Sequence, residues 1–239
     1  MDREIDWLLQ EKYNGIKTPE FDSDLTRLQK GEPLAYVIGW TPFLHTKIWL
    51  DSKPLIPRPE TEFWVEKAIS EIENIDNAKV LDLCAGSGCI GVAILRAIPD
   101  AVVHFAEIDQ THHQTIKKNI LENEIDSNRT KILGGNLFEN VTEKYDFILT
   151  NPPYIDPKLS ERIQKSVKIH EPEIALFGGI NGMEIVEKII EEAPKYLNPD
   201  GMLYLEHEPE QALALQKILP GIQSFEDQFG VIRYSIFRN

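Results

Sequence analysis

Cysteine is nearly absent from this chain. Its two thiols, Cys84 and Cys89, lie close together inside a glycine-rich stretch. That arrangement offers no disulfide framework. With no further cysteine and no cluster of histidines it is also a poor zinc site, so no metal is expected. Both residues read as small apolar side chains packed at a strand-to-helix turn, in a reducing compartment. Long apolar runs are missing too: none reaches the roughly 18 residues that a membrane span needs. The opening residues Met1, Asp2, Arg3 and Glu4 hold neither a signal-peptide core nor an arginine-rich transit sequence. The expectation is a cytoplasmic protein without a membrane partner. Positive charge is scarce as well: 25 Lys and Arg face 39 Asp and Glu, for a formal charge of −14. Binding to bare nucleic acid rests on cations meeting phosphate, so this balance argues against nucleic acid as a direct partner. There are no internal repeats and no low-complexity tract.

What is present is enough for one large domain with a small appendage: 239 residues, 42% of them hydrophobic. Residues 1–32 carry Ile5, Leu8, Leu9, Leu25 and Leu28 at helical spacing, broken by Asn14-Gly15 and Pro19. They are expected to form a short helical segment that packs on the rest of the chain. Residues 33–60 mix five prolines with Tyr36, Trp40, Phe43 and Trp49. Frequent proline stops long helices, so this stretch reads as a linker holding a β-hairpin, with strands at 36–38 and 48–50. Pro59, Glu60 and Glu62 mark a helix start, and apolar spacing carries that helix to residue 72.

Residues 61–239 are the main domain, and from residue 79 strand and helix alternate. Strands are predicted at 79–83, 102–106, 130–133, 145–150, 202–206, 221–225 and 231–237. Helices are predicted at 90–98, 110–122, 183–197 and 210–219. Alternation of this kind makes an α/β fold, a mostly parallel sheet covered on both faces. Seven strands closing in an antiparallel hairpin is the pattern of the class I S-adenosylmethionine-dependent methyltransferase fold. Ligands of such sheets sit beyond the carboxyl ends of the strands.

Two loops at those ends are chemically unusual. The first, Asp82, Leu83, Cys84, Ala85, Gly86, Ser87 and Gly88, follows the first strand of the sheet and opens a helix. Glycine lets the backbone approach a ligand closely, and the helix start offers N–H groups. The Gly-x-Gly-x-x-Gly dinucleotide pattern is displaced: Cys84 stands where the first glycine would be, Gly86, Gly88 and Gly91 supply the spacing one step later, and no P-loop lysine follows. Glu107 closes the next strand, where an acid usually takes ribose hydroxyls. Asp109 reads instead as a helix N-cap. The second loop is Asn151-Pro152-Pro153-Tyr154, directly after an apolar strand. Two prolines fix the backbone and remove two donors, leaving carbonyls without local N–H competition. Asn151 adds a side-chain amide oxygen and Tyr154 a flat apolar face. Such a loop suits a planar nitrogen whose lone pair is delocalised. Acceptors on its hydrogens hold it in line and stabilise developing positive charge, with no general base required.

These residues resemble the HemK/PrmC family of protein-(glutamine-N5) methyltransferases. The resemblance covers roughly residues 31–239. It is carried by Gly31 to Gly39, by Pro57-Arg58-Pro59-Glu60-Thr61-Glu62, by the glycine loop, by Asn151 to Tyr154, and by Glu171-Pro172 with Ala175 to Gly179. It implies transfer of a methyl group from S-adenosylmethionine to a glutamine side chain, in the Gly-Gly-Gln sequence of a peptide chain release factor, by a monomer. It also implies that Asp82 and Cys84 to Gly88 line the cofactor, that Glu107 with Ile108 borders its ribose, and that Asn136 and Leu137 meet its adenine. Thr61, with Pro59 and Glu60, would form a wall near the cofactor. Asn151, Pro152, Pro153 and Tyr154 would hold the substrate amide. The N-terminal helical segment is about half the length usual in the family. Asn136 stands where aspartate is more common.

Lys158, Arg162, Lys165 and Lys168 follow the second loop, either as a solvated face or as a docking patch for the substrate protein. Two other readings are weighed. A DNA adenine-N6 methyltransferase shares this kind of loop but normally adds a basic surface and a target-recognition domain. A non-catalytic scaffold would be expected to show damage in one of the two loops.

Overall fold

The computed structural model describes residues 2–239. Two helices open the chain, α1 (Asp2–Tyr13) and α2 (Pro19–Gln29), separated at Asn14-Gly15 as the breakers require. Thr18 caps α2 by accepting from the Phe21 N–H, and Pro19 takes the first turn. Leu8, Phe21, Leu28 and Val37 form a small core of their own. Asp24 braces it, with Lys12 at 2.6 Å, Tyr13 at 2.8 Å and Arg27 at 2.7 Å around its carboxylate.

The hairpin is tighter than predicted, its first strand lying later and its second starting earlier. Residues 36–38 are not a strand: they belong to a short helix, α3 (Leu34–Ile38), entered at Pro33 and stopped by Gly39 at φ 98°. A left-handed residue there ends the helix and turns the chain into the strand that follows. The paired strands are β1 (Trp40–Phe43) and β2 (Thr46–Trp49). Asn119 fastens this hairpin to the main domain. Its Oδ1 accepts from the Trp49 N–H at 2.7 Å, while its Nδ2 donates to the carbonyls of Trp49 at 3.0 Å and Ser87 at 2.9 Å.

The main domain runs α4 (Pro59–Ile72), β3 (Lys79–Leu83), α5 (Cys89–Ala97), β4 (Val102–Glu107), α6 (Gln110–Glu122), β5 (Thr130–Gly134) and β6 (Tyr145–Thr150). It continues through α7 (Lys165–His170), α8 (Glu184–Tyr196), β7 (Leu197–Glu206), α9 (Ala212–Ile218), β8 (Gln223–Glu226) and β9 (Ile232–Arg238). The seven-stranded sheet has the order β5-β4-β3-β6-β7-β9-β8. The strands from β5 to β7 are parallel, and β9 is antiparallel to both β7 and β8. This is the class I methyltransferase arrangement expected from the alternation. Strand alternation divides the core. Val80, Phe105, Phe147, Leu149 and Tyr204 face α4, α5 and α6, while Leu81, Leu83, Ile148, Leu203 and Leu205 face α8 and α9. Among the described residues no helix is long and apolar enough to cross a membrane.

The chain builds outward from β3 to β5, then returns to place β6 on the other side of β3. Crevices form where strand order reverses in this way, so the crevice falls between β3 and β6. The tight fit of α5 on the sheet fixes the loop above it: a Cβ at Gly91 would meet the Phe105 ring at 2.3 Å and Val103 at 2.8 Å. Gly91→Ala is therefore expected to destabilise the domain by about 1–3 kcal/mol, the usual cost of overpacking. Urea unfolding checks this; an unchanged midpoint would contradict the packing described.

Candidate active site

Leu83 at the end of β3 pairs with Thr150 at the end of β6. The loops leaving these two residues therefore start side by side. Between them lies a cavity of about 250 Å³. Cys84, Ala85, Gly86 and Ser87 line it from the first loop, Glu107 and Ile108 from the end of β4, and Asn136 and Leu137 from the turn after β5. Thr61 of α4 and Asn151 and Pro153 of the second loop complete the wall.

Two residues expected at the cofactor stand behind the loop instead. Asp82 is fully buried, and its Oδ2 accepts the Gly91 N–H at 2.9 Å, pinning the start of α5 to β3. Burial pushes its carboxyl well above the ordinary value. Gly88 caps α5 at φ 76°, with Ile116 and Phe105 so near that a Cβ would lie 3.2 Å from each. Both shape the loop from below. Glu107 does face the cavity. Its Oε2 accepts the Gly86 N–H at 2.7 Å and its Oε1 the Asp109 N–H at 2.8 Å, which aims the carboxylate and leaves further lone pairs. Asp109 caps α6 through the Thr111 N–H at 2.9 Å, the role read from sequence.

A second cavity, of about 1140 Å³, opens on the other side of Asn151. Asn151 borders both cavities, while Pro152, Tyr154, Arg58 and Arg233 line the larger one. The backbone of the second loop is held closely. The Tyr154 carbonyl accepts from Gln211 Nε2 at 2.9 Å, and a Cβ at Gly178 would come within 2.5 Å of the Pro153 carbonyl. Among the described residues no donor reaches the Pro152 carbonyl.

Sequence reasoning gave no role to Glu206, the last residue of β7, beyond an unusually acidic strand end at Glu206-His207-Glu208. It is 1% exposed and its carboxylate gathers the site. Thr61 Oγ1 and Trp64 Nε1 each donate to Oε2 at 2.7 Å, and the Tyr154 hydroxyl donates to Oε1 at 2.9 Å. Asn151 Nδ2 in turn donates to Thr61 Oγ1 at 3.1 Å. Burial pushes the Glu206 carboxyl up from its ordinary value, against the pull of those three donors. The available signal was an acid ending the apolar run Met202-Leu203-Tyr204-Leu205.

Two separated strings of the sequence also meet here. Glu171, 4% exposed, pairs with Arg58 at 2.6 Å and accepts the Ile56 N–H at 3.1 Å. This clasp joins the segments that wall both cavities. Of the basic residues after the second loop, Lys158, Lys165 and Lys168 are exposed, and Arg162 pairs with Glu210 at 3.1 Å beside the larger cavity.

A sheet of this order, with a glycine loop after β3, an acid at the end of β4 and Asn-Pro-Pro-Tyr after β6, defines an S-adenosylmethionine-dependent methyltransferase. Comparison with known proteins agrees and narrows the class. The family model described as "Methyltransferase small domain" matches residues 66–170. A release factor glutamine methyltransferase of Lactococcus lactis subsp. lactis (strain IL1403) is 32% identical over 98% of this chain and 85% of its own length. One from Thermodesulfovibrio yellowstonii is 38% identical over 81% of this chain and 70% of its own. Among solved structures, a T. thermophilus 16S rRNA N2 methyltransferase in complex with AdoMet and guanosine superposes with a TM-score of 0.61 at 17% identity. The match covers 84% of this chain and 49% of that one, and shows the shared fold. The chain belongs to the release factor glutamine methyltransferase family.

The two thiols offer a check on the glycine loop. Both line the cavity wall, yet burial pushes Cys84 up to about 12 and raises Cys89 as well. Thiolate is the reactive form. Both are therefore expected to react slowly with a disulfide reagent in the native protein near about pH 8, and fast after unfolding. Rapid titration of two native thiols would contradict the loop's packing.

Proposed function

We propose that this chain transfers a methyl group from S-adenosylmethionine to the side-chain amide nitrogen of a glutamine, in the Gly-Gly-Gln sequence of a peptide chain release factor. The observation that carries this reading is the place of Asn151, on the wall shared by two cavities and beside a Pro152 carbonyl that no donor among the described residues reaches. The relatives' activity on release factors supports the substrate class.

The smaller cavity fits the cofactor. Glu107 holds its carboxylate on two backbone N–H groups and keeps lone pairs for a ribose diol. Ile108 and Leu137 give apolar sides for a flat base near Asn136, and the turn at Gly86 and Ser87 lets a ligand lie against the backbone. When bound, S-adenosylmethionine supplies a methyl group made electrophilic by its sulfonium. The larger cavity admits the peptide, with Tyr154 offering a ring against which a planar amide packs.

A glutamine amide nitrogen is a weak nucleophile, because its lone pair is shared with the carbonyl. Asn151 Oδ1 and the Pro152 carbonyl accept its two hydrogens. They hold the nitrogen toward the smaller cavity and stabilise the positive charge that grows on it. Pro152 and Pro153 keep these acceptors in place without offering N–H groups that would compete. The proton leaves after the methyl has arrived, so the loop needs no base.

The test is mass spectrometry of a release factor incubated with the full chain and S-adenosylmethionine. A gain of one methyl on the Gly-Gly-Gln glutamine is expected; methyl on DNA adenine instead would overturn the reading. Asn151→Ala should lower kcat/KM at least about 100-fold while cofactor affinity stays close to wild type. Glu107→Ala should do the reverse, weakening cofactor binding by about tenfold or more. Calorimetry with S-adenosylhomocysteine separates the two.

A further inference from the structure

We infer that Glu206 is a positioning residue for the methyl transfer: through Thr61 it decides which end of the Asn151 amide faces the substrate. This rests on the proposed role of Asn151 as an acceptor. An asparagine amide has two ends of nearly equal shape and opposite hydrogen-bonding sense. Were Asn151 reversed, it would present an NH2 group to the NH2 group of the substrate.

The surrounding groups settle the direction one proton at a time. The Trp64 indole nitrogen can only donate, and it lies 2.7 Å from Glu206 Oε2. That oxygen is therefore an acceptor. The Thr61 hydroxyl has a single proton, and it too is 2.7 Å from Oε2. Having spent its proton there, Thr61 offers only lone pairs to Asn151, 3.1 Å away. Asn151 must turn its NH2 group to Thr61 and its Oδ1 away from it. The Tyr154 hydroxyl occupies the second carboxylate oxygen at 2.9 Å, so the same anion also holds the other side of the substrate pocket.

The sheet makes this contact possible. Leu149 pairs with Tyr204 and Thr150 with Leu205, so the next residues in register are Asn151 and Glu206. Both fall on the face covered by α4, whose Thr61 and Trp64 reach down to the carboxylate. A carboxylate 1% exposed is costly to keep unless its lone pairs are used. Three donors use them, and each donor belongs to an element that walls the site.

The experiment takes the full chain, a release factor and a set of substitutions. Glu206→Gln keeps the shape but replaces one acceptor oxygen with a donor. It is expected to lower kcat at least about tenfold, with KM for the release factor and cofactor affinity changed less than about threefold. Thr61→Val should lose a similar amount, and Thr61→Ser should rescue most of it. The double variant Glu206→Gln with Thr61→Val should fall little further than the worse single one, the signature of a shared relay. A residue that only supports folding would lower thermal stability, leave kcat per folded molecule intact and give additive losses. Retention of kcat by Glu206→Gln within about twofold would overturn the relay.

A second readout does not need turnover. The Asn151 side-chain NH2 signals in an NMR spectrum, assigned with Asn151→Asp, should show one hydrogen-bonded proton that is lost in Thr61→Val. Signals unchanged by Thr61→Val would overturn the relay whether or not the wild type methylates a release factor. A wild type that shows the bonded proton yet leaves the release factor unmodified would count against the substrate alone.

Discussion

One buried anion ties this molecule's parts together. The Glu206 carboxylate ends β7, the strand paired with β6, out of reach of water. Its desolvation costs several kcal/mol, and hydrogen bonds to a charged group return about 1.5–3 kcal/mol each. The donors come from α4 and from the Asn151–Tyr154 loop. Satisfying the charge therefore brings helix, sheet and loop into one register. Through Thr61 the same requirement extends to Asn151, which stands between the two cavities.

A similar economy holds on the cofactor side. Glu107 takes the Gly86 N–H, Asp82 takes the Gly91 N–H, and Asn119 takes up the Ser87 carbonyl while holding the hairpin. Three side chains with little or no exposure thus dictate the path of one glycine loop. The Arg58–Glu171 clasp does the same for the outer walls, linking segments more than a hundred residues apart in sequence. In the proposed reading, substrate chemistry is left to groups that bring no proton of their own: an amide oxygen, a carbonyl and a ring face.

Much of this was legible before any coordinates. Alternating apolar strands and amphipathic helices pointed to a mostly parallel sheet, and helix α4 from Pro59 to Ile72, strand β6 from Tyr145 to Thr150 and helix α6 from Gln110 to Glu122 fell where spacing put them. Glycine and proline chemistry marked both loops, because those residues are needed for backbone reasons that hold in any context. The misreading at Tyr36, Val37 and Ile38 has the opposite origin. Three apolar residues suit a buried strand or a helical turn equally, and Gly39 decided between them through a left-handed turn. Asp82 and Gly88 belong to the loop's motif and yet face inward, since pattern does not reveal which side of a loop meets the ligand. Glu206 drew no role from sequence for a related reason. An acid at a strand end looks solvated until α4 is folded over it.

The central claim is that Asn151 Oδ1 and the Pro152 carbonyl receive a glutamine amide. A crystal structure with S-adenosylhomocysteine and a Gly-Gly-Gln peptide tests it most directly. The expected result is the glutamine nitrogen within hydrogen-bonding distance of both oxygens, with Asn151 Nδ2 still on Thr61. A glutamine amide lodged elsewhere, or Asn151 turned so that its NH2 group faces the peptide, would contradict the account.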